Sequence, residues 1–417
     1  MAFASSRMTR SMTRVSGFRD AEFDYQLLRA MGVADYGGST VGECLAAAGV
    51  ITDGDTGSWV RAFGALADRV EAQGRQSLAA GHRVSGRDHL LRASTYHRMA
   101  EYYADADRVA LSESGRRSRA CFEEAVALLD TPVEPVSMPF EGSALPGYLI
   151  HPFEAGGAAT ARPTGTLVAL GGFDSSAEEL YFQLGAAGAT RRWQVLVFDG
   201  PGQTGAMRDD PTLCFRPDYE VPVGAVLDFV ESRSDTRPEH LALAGLSLGG
   251  YLAARAAACD RRVKALVADS PIVDLYRYME ALIGPEVFRM RSDVRPEDVV
   301  GIPEDLLPAQ MMWGMAAVCR RFGVRSLHEW LGRLDRFRLG DIVADISCPV
   351  LALVGEHEGH EVTRQADEFA AGVSGPVTVR RFGIDDGADA HCQANNLRLS
   401  ASVVYDWLDE LFVERSS

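Results

Sequence analysis

The sequence predicts an α/β protein: a mostly parallel sheet with flanking helices, preceded by an all-helical N-terminal domain and interrupted late by a helical lid insertion. Three observations carry this. From Ala21 to about Leu129, apolar residues recur at three- and four-residue spacing with no strand signal between them. From Val136 to Ala268, short apolar runs alternate with helical stretches, as crossover-linked parallel strands do. Within that alternation Leu241 to Gly250 reads Leu-Ala-Leu-Ala-Gly-Leu-Ser-Leu-Gly-Gly, a strand that enters Gly245-x-Ser247-x-Gly249 and continues at once into a small-residue helix.

The chain's 417 residues exceed one ordinary domain, so a large core with satellite domains is expected. With 42 basic and 58 acidic residues the net charge is -16, which argues against nucleic acid or an anionic membrane as partner. No stretch approaches the ~20 apolar residues of a spanning helix, and a soluble, cytoplasmic protein is expected. Met1 to Arg14 is rich in Ser, Met and Arg and lacks acid, superficially like a transit peptide, but it has no apolar h-region. Residues 1–20 read as a loose tail. Seven cysteines (44, 121, 214, 259, 319, 348, 392) are scattered, odd in number and never spaced C-x-x-C, which disfavours a disulfide scaffold and a zinc site and fits a reducing compartment.

Taken in order, the N-terminal domain spans 21–131. Its helices carry Phe23, Leu27, Leu28 and Met31, then Val60, Phe63, Leu66 and Val70. Another opens at Ser85-Gly86-Arg87-Asp88, a capping-box-like start, and carries Leu91, Tyr96, Met99 and Tyr103. No fixed-period repeat runs through it. The first part of the core spans 132–271. It opens with a hairpin, Val136 to Phe140 and Leu145 to Ile150 about a Glu141-Gly142-Ser143 turn. The strand Thr164 to Leu170 follows, ending in Gly171-Gly172-Phe173-Asp174, then a helix from about Ala177 to Arg191. Next come the strand Gln194 to Phe198, a helical stretch around Val223 to Glu231, the strand carrying Ser247, and Val263 to Ala268. Residues 272–347 contain no convincing strand, and Met279, Met290, Met311, Met312, Trp313 and Met315 stand among their apolar positions, the composition of an adaptable helical lid. The second part of the core, 348–417, supplies Pro349 to Val354, Val377 to Phe382 and a closing helix from about Asn395.

A serine on such a turn sits in a strained backbone beside the amino end of a helix, where it can act as a nucleophile given a base, an orienting acid and oxyanion donors. His391 is the expected base, since it lies on the loop nine residues after the last strand. The acid is expected after Leu351 to Val354, in Gly355-Glu356-His357-Glu358-Gly359-His360-Glu361. Glu358 is preferred because it falls past the strand end, with Glu356 and Asp269 left as rivals. His357 and His360 stand three apart in an expected loop, not four apart on a helix, so no metal is expected. The oxyanion donors are read as the N–H of Leu248 and that of Phe173, with Gly172 second. Asp174, Met311, Met312 and Trp313 are pocket candidates, with Tyr96 and His97 facing them from the N-terminal domain, although packing is the commoner fate of such aromatics.

Gly245-x-Ser247-x-Gly249, Asp199-Gly-Pro-Gly-Gln and Gly355-Glu-His-Glu together resemble the α/β-hydrolases over roughly residues 133 to 417. Arg92-Ala-Ser-Thr-Tyr-His-Arg-Met-Ala-Glu-Tyr-Tyr, Phe140-Glu-Gly-Ser-x-Leu-Pro-Gly-Tyr-Leu, Gly172-Phe-Asp-Ser-Ser-x-Glu-Glu and Ala390-His-Cys-Gln-x-Asn-Asn further resemble a subgroup with a helical N-terminal domain. That subgroup includes 2,6-dihydroxypseudooxynicotine hydrolase and the fungal polyketide-shortening hydrolases of pigment pathways. The resemblance implies a Ser-His-acid hydrolase that cleaves a carbon-carbon bond beside a carbonyl of an aromatic or polyketide ketone, without a cofactor. Glu358 departs from the pattern, in which aspartate is commoner. An esterase, lactonase or acyltransferase with the same triad is the alternative, and a lyase or cyclase using His391 as base a further one. The apolar helical domain leaves a homodimer open.

Overall fold

The structure, a computed structural model, describes residues 11–104, 112–152, 162–285 and 309–412. Met290 and the first ten residues of the expected tail lie outside them. The chain forms two compact units, Met1–Ala125 with Met207–Pro217 and Asp274–Arg338, and Val126–Ala206 with Asp218–Val273 and Leu339–Ser417.

The second unit holds an eight-stranded sheet of order β1-β2-β4-β3-β5-β6-β7-β8. Its strands are β1 (Val133–Phe140), β2 (Ser143–Ile150), β3 (Thr166–Leu170), β4 (Gln194–Phe198), β5 (Leu241–Leu246), β6 (Ala265–Asp269), β7 (Val350–Gly355) and β8 (Val377–Phe382). β1 and β2 form the expected antiparallel hairpin, β2 joins β4 antiparallel, and every other pairing is parallel. The five strands β3 to β7 are buried along their whole length. Burial on both faces is why they read as continuous apolar runs and not as alternation. Register then aligns the carboxyl ends of β5 and β6, pairing Leu246 with Asp269, and continues the row into β7 through Asp269 and Leu353. The loops that leave these ends are therefore brought together.

Several local expectations are corrected. The helix read as opening at Ser85 begins at Arg83, without a side-chain cap. Gly86 is there for packing: a Cβ on it would lie 2.3 Å from Leu78 Cδ2 of the preceding helix, Thr56–Ala79. The expected helix 177–191 is broken by a π-helical turn, Tyr181–Gly185. Two helices had not been anticipated, Thr204–Asp209 and His360–Gly372; the second buries Val362, Ala366 and Phe369 at i, i+4 and i+7.

The first unit gathers the N-terminal helices and the inserted segment. Thus 274–338, not 272–347, groups with the N-terminal helices, and Gly340–Asp345 belongs to the sheet unit. Trp59 is its hub, 5.0 Å from Phe23 and 5.5 Å from Tyr103 between ring centres, with its Nε1 donating to the carbonyl of Met99 at 2.9 Å. Trp313 lies 4.7 Å from Tyr102 and 5.1 Å from Tyr103, so the helix Ala309–Phe322 adds to the same aromatic cluster. Glu101 and Arg208 form a bidentate pair whose side chains are only 3% and 4% exposed. Leaving either charge without the other would strand it in the interior. Among the described residues no helix is long and apolar enough to cross a membrane.

Glu71 is a second charge knot. Its Oε2 accepts from His97 Nε2 at 3.0 Å and from Arg117 Nη2 at 2.7 Å, and its Oε1 accepts from Arg75 at 3.1 Å. Burial pushes its carboxyl up, but hydrogen bonds from His97 and Arg117 outweigh burial and hold it down at about 2. A folded pKa below the unfolded 4.5 gives stability that is complete above 4.5 and lost as pH falls through the folded value. Glu71→Gln is therefore expected to lower the melting temperature by a few degrees at pH 7, with the gap from wild type closing as melts are run from pH 5 down to pH 3.

Candidate active site

β5 ends at Leu246, and the helix Leu248–Cys259 begins two residues later, leaving Ser247 alone to make the turn. Its φ of 59° and ψ of -127° lie in a region that non-glycine residues rarely occupy. The surrounding glycines are a steric necessity: a Cβ on Gly245 would lie 1.9 Å from the carbonyl oxygen of Gly249. The turn is tied to the next strand by the Ser247 N–H, which donates to the carbonyl of Asp269.

His391 sits nine residues after β8, and its Nε2 lies 2.9 Å from Ser247 Oγ. On the other side of the ring, Nδ1 meets Oε2 of Glu358. These partners set the tautomer: Nδ1–H donates to the carboxylate, and Nε2 is left to accept the serine proton. Glu358 also accepts from the backbone N–H of Gly355 at 2.8 Å and from Ser270 Oγ at 2.5 Å, and both Glu358 and His391 are buried. Three donors thus converge on the one carboxylate.

The two rival acids are placed elsewhere. Glu356 is exposed, and its carboxylate lies beside Gly383, where an added Cβ would come within 2.9 Å of it. Asp269 is buried, and its Oδ1 accepts from Gln393 Nε2 at 3.2 Å. Burial first, and the charge of Glu358 second, push its carboxyl well above the usual carboxylate range.

Leu248 is the first residue of its helix, so its N–H is one of those without an intrahelical acceptor. Gly172 abuts the serine: a Cβ there would lie 2.7 Å from Ser247 Cβ and 3.0 Å from its Oγ. The loop carrying Gly172 and Phe173 therefore reaches Ser247. Gln203 supports that loop, and its role was missed although it ends the quoted Asp199-Gly-Pro-Gly-Gln segment. Its Oε1 accepts from the N–H of Gly200 at 2.6 Å, and its Nε2 donates to the carbonyl of Gly171 at 2.5 Å. Asp174 is buried in the same loop, with its carbonyl accepting from Thr204 Oγ1 at 3.2 Å.

The pocket expected from the N-terminal domain needs correction. The Tyr96 hydroxyl donates to Glu43 Oε2 at 2.7 Å and accepts from the N–H of Thr40 at 2.9 Å, while His97 is held by Glu71, and both side chains are buried in the helical unit. Trp313 is half-buried against Tyr102 and Tyr103. The side chains of Met311 and Met312 lie outside those described.

Among the described residues, Glu71, His97 and Cys121 bring one potential metal ligand atom each within 4.8 Å of one another. Arg75 and Arg117 already fill the carboxylate, and burial pushes the Cys121 thiol up to about 12, so the set is a poor cation site. His357, once weighed for metal, instead places Nδ1 2.6 Å from Asp389 Oδ2 and so links the acid loop to the base loop.

Residues 223–298 match the model of the prolyl oligopeptidase family. The chain is 32% identical to the hydrolase ORFZ of Pyricularia oryzae over 95% of its own length and 98% of that protein. It is 33% identical to the α/β hydrolase gkaG of Penicillium citrinum, covering 83% of this chain and 84% of that protein. The crystal structure of 2,6-dihydroxy-pseudo-oxynicotine hydrolase superposes with a TM-score of 0.68 at 22% identity, over 92% of this chain and 95% of that one. A mostly parallel sheet with a serine at the β5 turn defines the α/β-hydrolase class. The chain belongs to the α/β-hydrolase family and is a hydrolytic enzyme.

Gly172→Ala is expected to displace the loop from Ser247 and slow labelling by a fluorophosphonate by about 10²-fold, the loss typical of one oxyanion donor. A rate within twofold of wild type would mean that this loop supplies no donor.

Proposed function

We propose that the enzyme hydrolyses a carbon-carbon bond beside a carbonyl in an aromatic or polyketide-like ketone, with Ser247 as nucleophile, His391 as base and Glu358 as orienting acid. The observation that carries the reading is the unbroken line from Ser247 Oγ through His391 to Glu358, 2.9 Å at its first step and buried at its far end. Ser247 Oγ adds to the ketone carbon as its proton passes to His391 Nε2. The carbonyl oxygen becomes an alkoxide facing the N–H groups of Leu248 and Phe173. When the alkoxide collapses, the carbon-carbon bond breaks and its electron pair leaves with the smaller fragment. A phenol or enol delocalises that pair, and the imidazolium returns the proton to carbon. Water, deprotonated by His391, then releases the acyl group from Ser247 as a carboxylic acid. Overall a ketone and one water give an acid and a deacylated fragment.

Kinship with fungal proteins named hydrolases supports hydrolysis, and the ketone class is taken from the enzyme named for 2,6-dihydroxy-pseudo-oxynicotine, whose fold the chain shares. Ester cleavage would pass through the same alkoxide, so the products decide. Incubation with a panel of acyl phenols, β-diketones and aryl esters in ¹⁸O-water is expected to yield an ¹⁸O-labelled acid and the deacylated fragment from a ketone. Ser247→Ala is expected to lower this turnover by at least about 10⁴-fold. Activity confined to esters would overturn the carbon-carbon assignment. Turnover surviving in Ser247→Ala without ¹⁸O in the product would overturn the nucleophile in favour of a lyase or cyclase.

A further inference from the structure

Asp269 has no part in the proton relay, yet it and its neighbour Ser270 touch the serine turn, the loop after His391 and Glu358. Its carbonyl accepts the N–H of Ser247, and Cys392 Sγ approaches the same oxygen at 3.7 Å. Its carboxyl accepts the Gln393 side-chain amide at 3.2 Å. The next residue, Ser270, donates its hydroxyl to Glu358. The end of β6 thus touches the nucleophile turn, the base loop and the acid.

The base loop is the part that needs such a contact. His391 is followed by Cys392 and Gln393, with φ of 49° and 46°, two successive non-glycine residues in the left-handed region. Such backbone persists only where its surroundings over-determine it. Two backbone bonds help, Gln393 N–H to the carbonyl of Ala390 at 2.9 Å and Ala394 N–H to that of His391 at 3.3 Å. They close the turn on itself but do not fix it against the sheet. The fully buried Gln393 side chain does that, and its amide is aimed at Asp269 Oδ1.

Charge decides the form in which Asp269 does this. Two neighbouring buried carboxyls do not both ionise. Glu358 takes the Gly355 N–H, the Ser270 hydroxyl and the His391 ring N–H, whereas Asp269 takes one amide. The negative charge therefore belongs to Glu358.

We propose that Asp269 is a positioning residue: an uncharged acid at the end of β6 that holds the base loop through Gln393 and leaves Glu358 as the anion behind His391. The proposal rests on the reading of Ser247, His391 and Glu358 as the catalytic array. Burial and the charge of Glu358, which both push the Asp269 carboxyl up, agree with it.

The test compares Asp269→Asn, Asp269→Leu and Gln393→Leu in the full chain. The readouts are the maximal rate and half-saturating concentration of fluorophosphonate labelling from pH 5 to 9, and the melting temperature. Asp269→Asn keeps an uncharged acceptor of nearly the same shape, so its labelling rate should stay within about threefold of wild type with the same pH profile. Asp269→Leu should lower the maximal rate by about 10²-fold with little change in half-saturation, as expected for a displaced base. Gln393→Leu should match it, and the double variant Asp269→Leu/Gln393→Leu should lose nothing further. If Asp269→Leu does not fold, Gln393→Leu carries the same expectation. A full labelling rate in the leucine variants with only a lower melting temperature would overturn the positioning role. A loss in Asp269→Asn equal to that in Asp269→Leu, with a displaced pH profile, would overturn the uncharged state. Failure of the wild type to label at all would instead count against the serine nucleophile, so the two readings fail separately.

Discussion

The backbone of Ser247 is the constraint on which the carboxyl end of the sheet depends. One non-glycine residue with φ 59° turns β5 directly into a helix, and no room is left for a side chain at Gly245 or Gly172. The strain is sustained by bonds on every side: the Ser247 N–H to Asp269, the Gly171–Gly172 loop pinned by Gln203, and the hydroxyl met by His391. The strain therefore has a result. The hydroxyl is fixed against the His391 ring at the amino end of a helix.

Both units bury carboxylates, and they handle them in opposite ways. In the helical unit, buried Glu101 and half-buried Glu71 are both balanced by arginine, so charge is cancelled where it is withdrawn from water. Behind Ser247, among the described residues, Glu358 is met by a backbone N–H, a hydroxyl and an imidazole and by no arginine. Under the proposed mechanism such a carboxylate stands behind the imidazolium that forms when the serine gives up its proton.

The features that were legible in the sequence follow from local chemistry. β4, Gln194–Phe198, holds the apolar run Val195 to Phe198 and ends with it, because a strand buried on both faces has no other pattern. Ser247, His391 and Glu358 could be found because each follows a strand end, and parallel register brings strand ends together. What was not legible depends on contacts between distant positions. Gln203 and Gln393 act through single side-chain amides that leave no period in the chain. Tyr96 and His97 looked available because aromatic residues on a helix face do not reveal partners such as Glu43 and Glu71, which lie 53 and 26 residues away. Ser85-Gly86 resembled a cap because small residues serve capping and close packing equally well, and only the nearness of Leu78 distinguishes them.

The proton between His391 and Glu358 offers the most direct measurement of the account. A buried hydrogen bond from a histidine ring N–H to a carboxylate should give a downfield proton resonance, protected from exchange and assignable by ¹⁵N labelling of histidine. The account predicts that the resonance is present in wild type, Ser247→Ala and Glu356→Ala, and absent from Glu358→Ala. A resonance that persists in Glu358→Ala, or one lost instead in Glu356→Ala, would contradict the relay on which the functional reading stands.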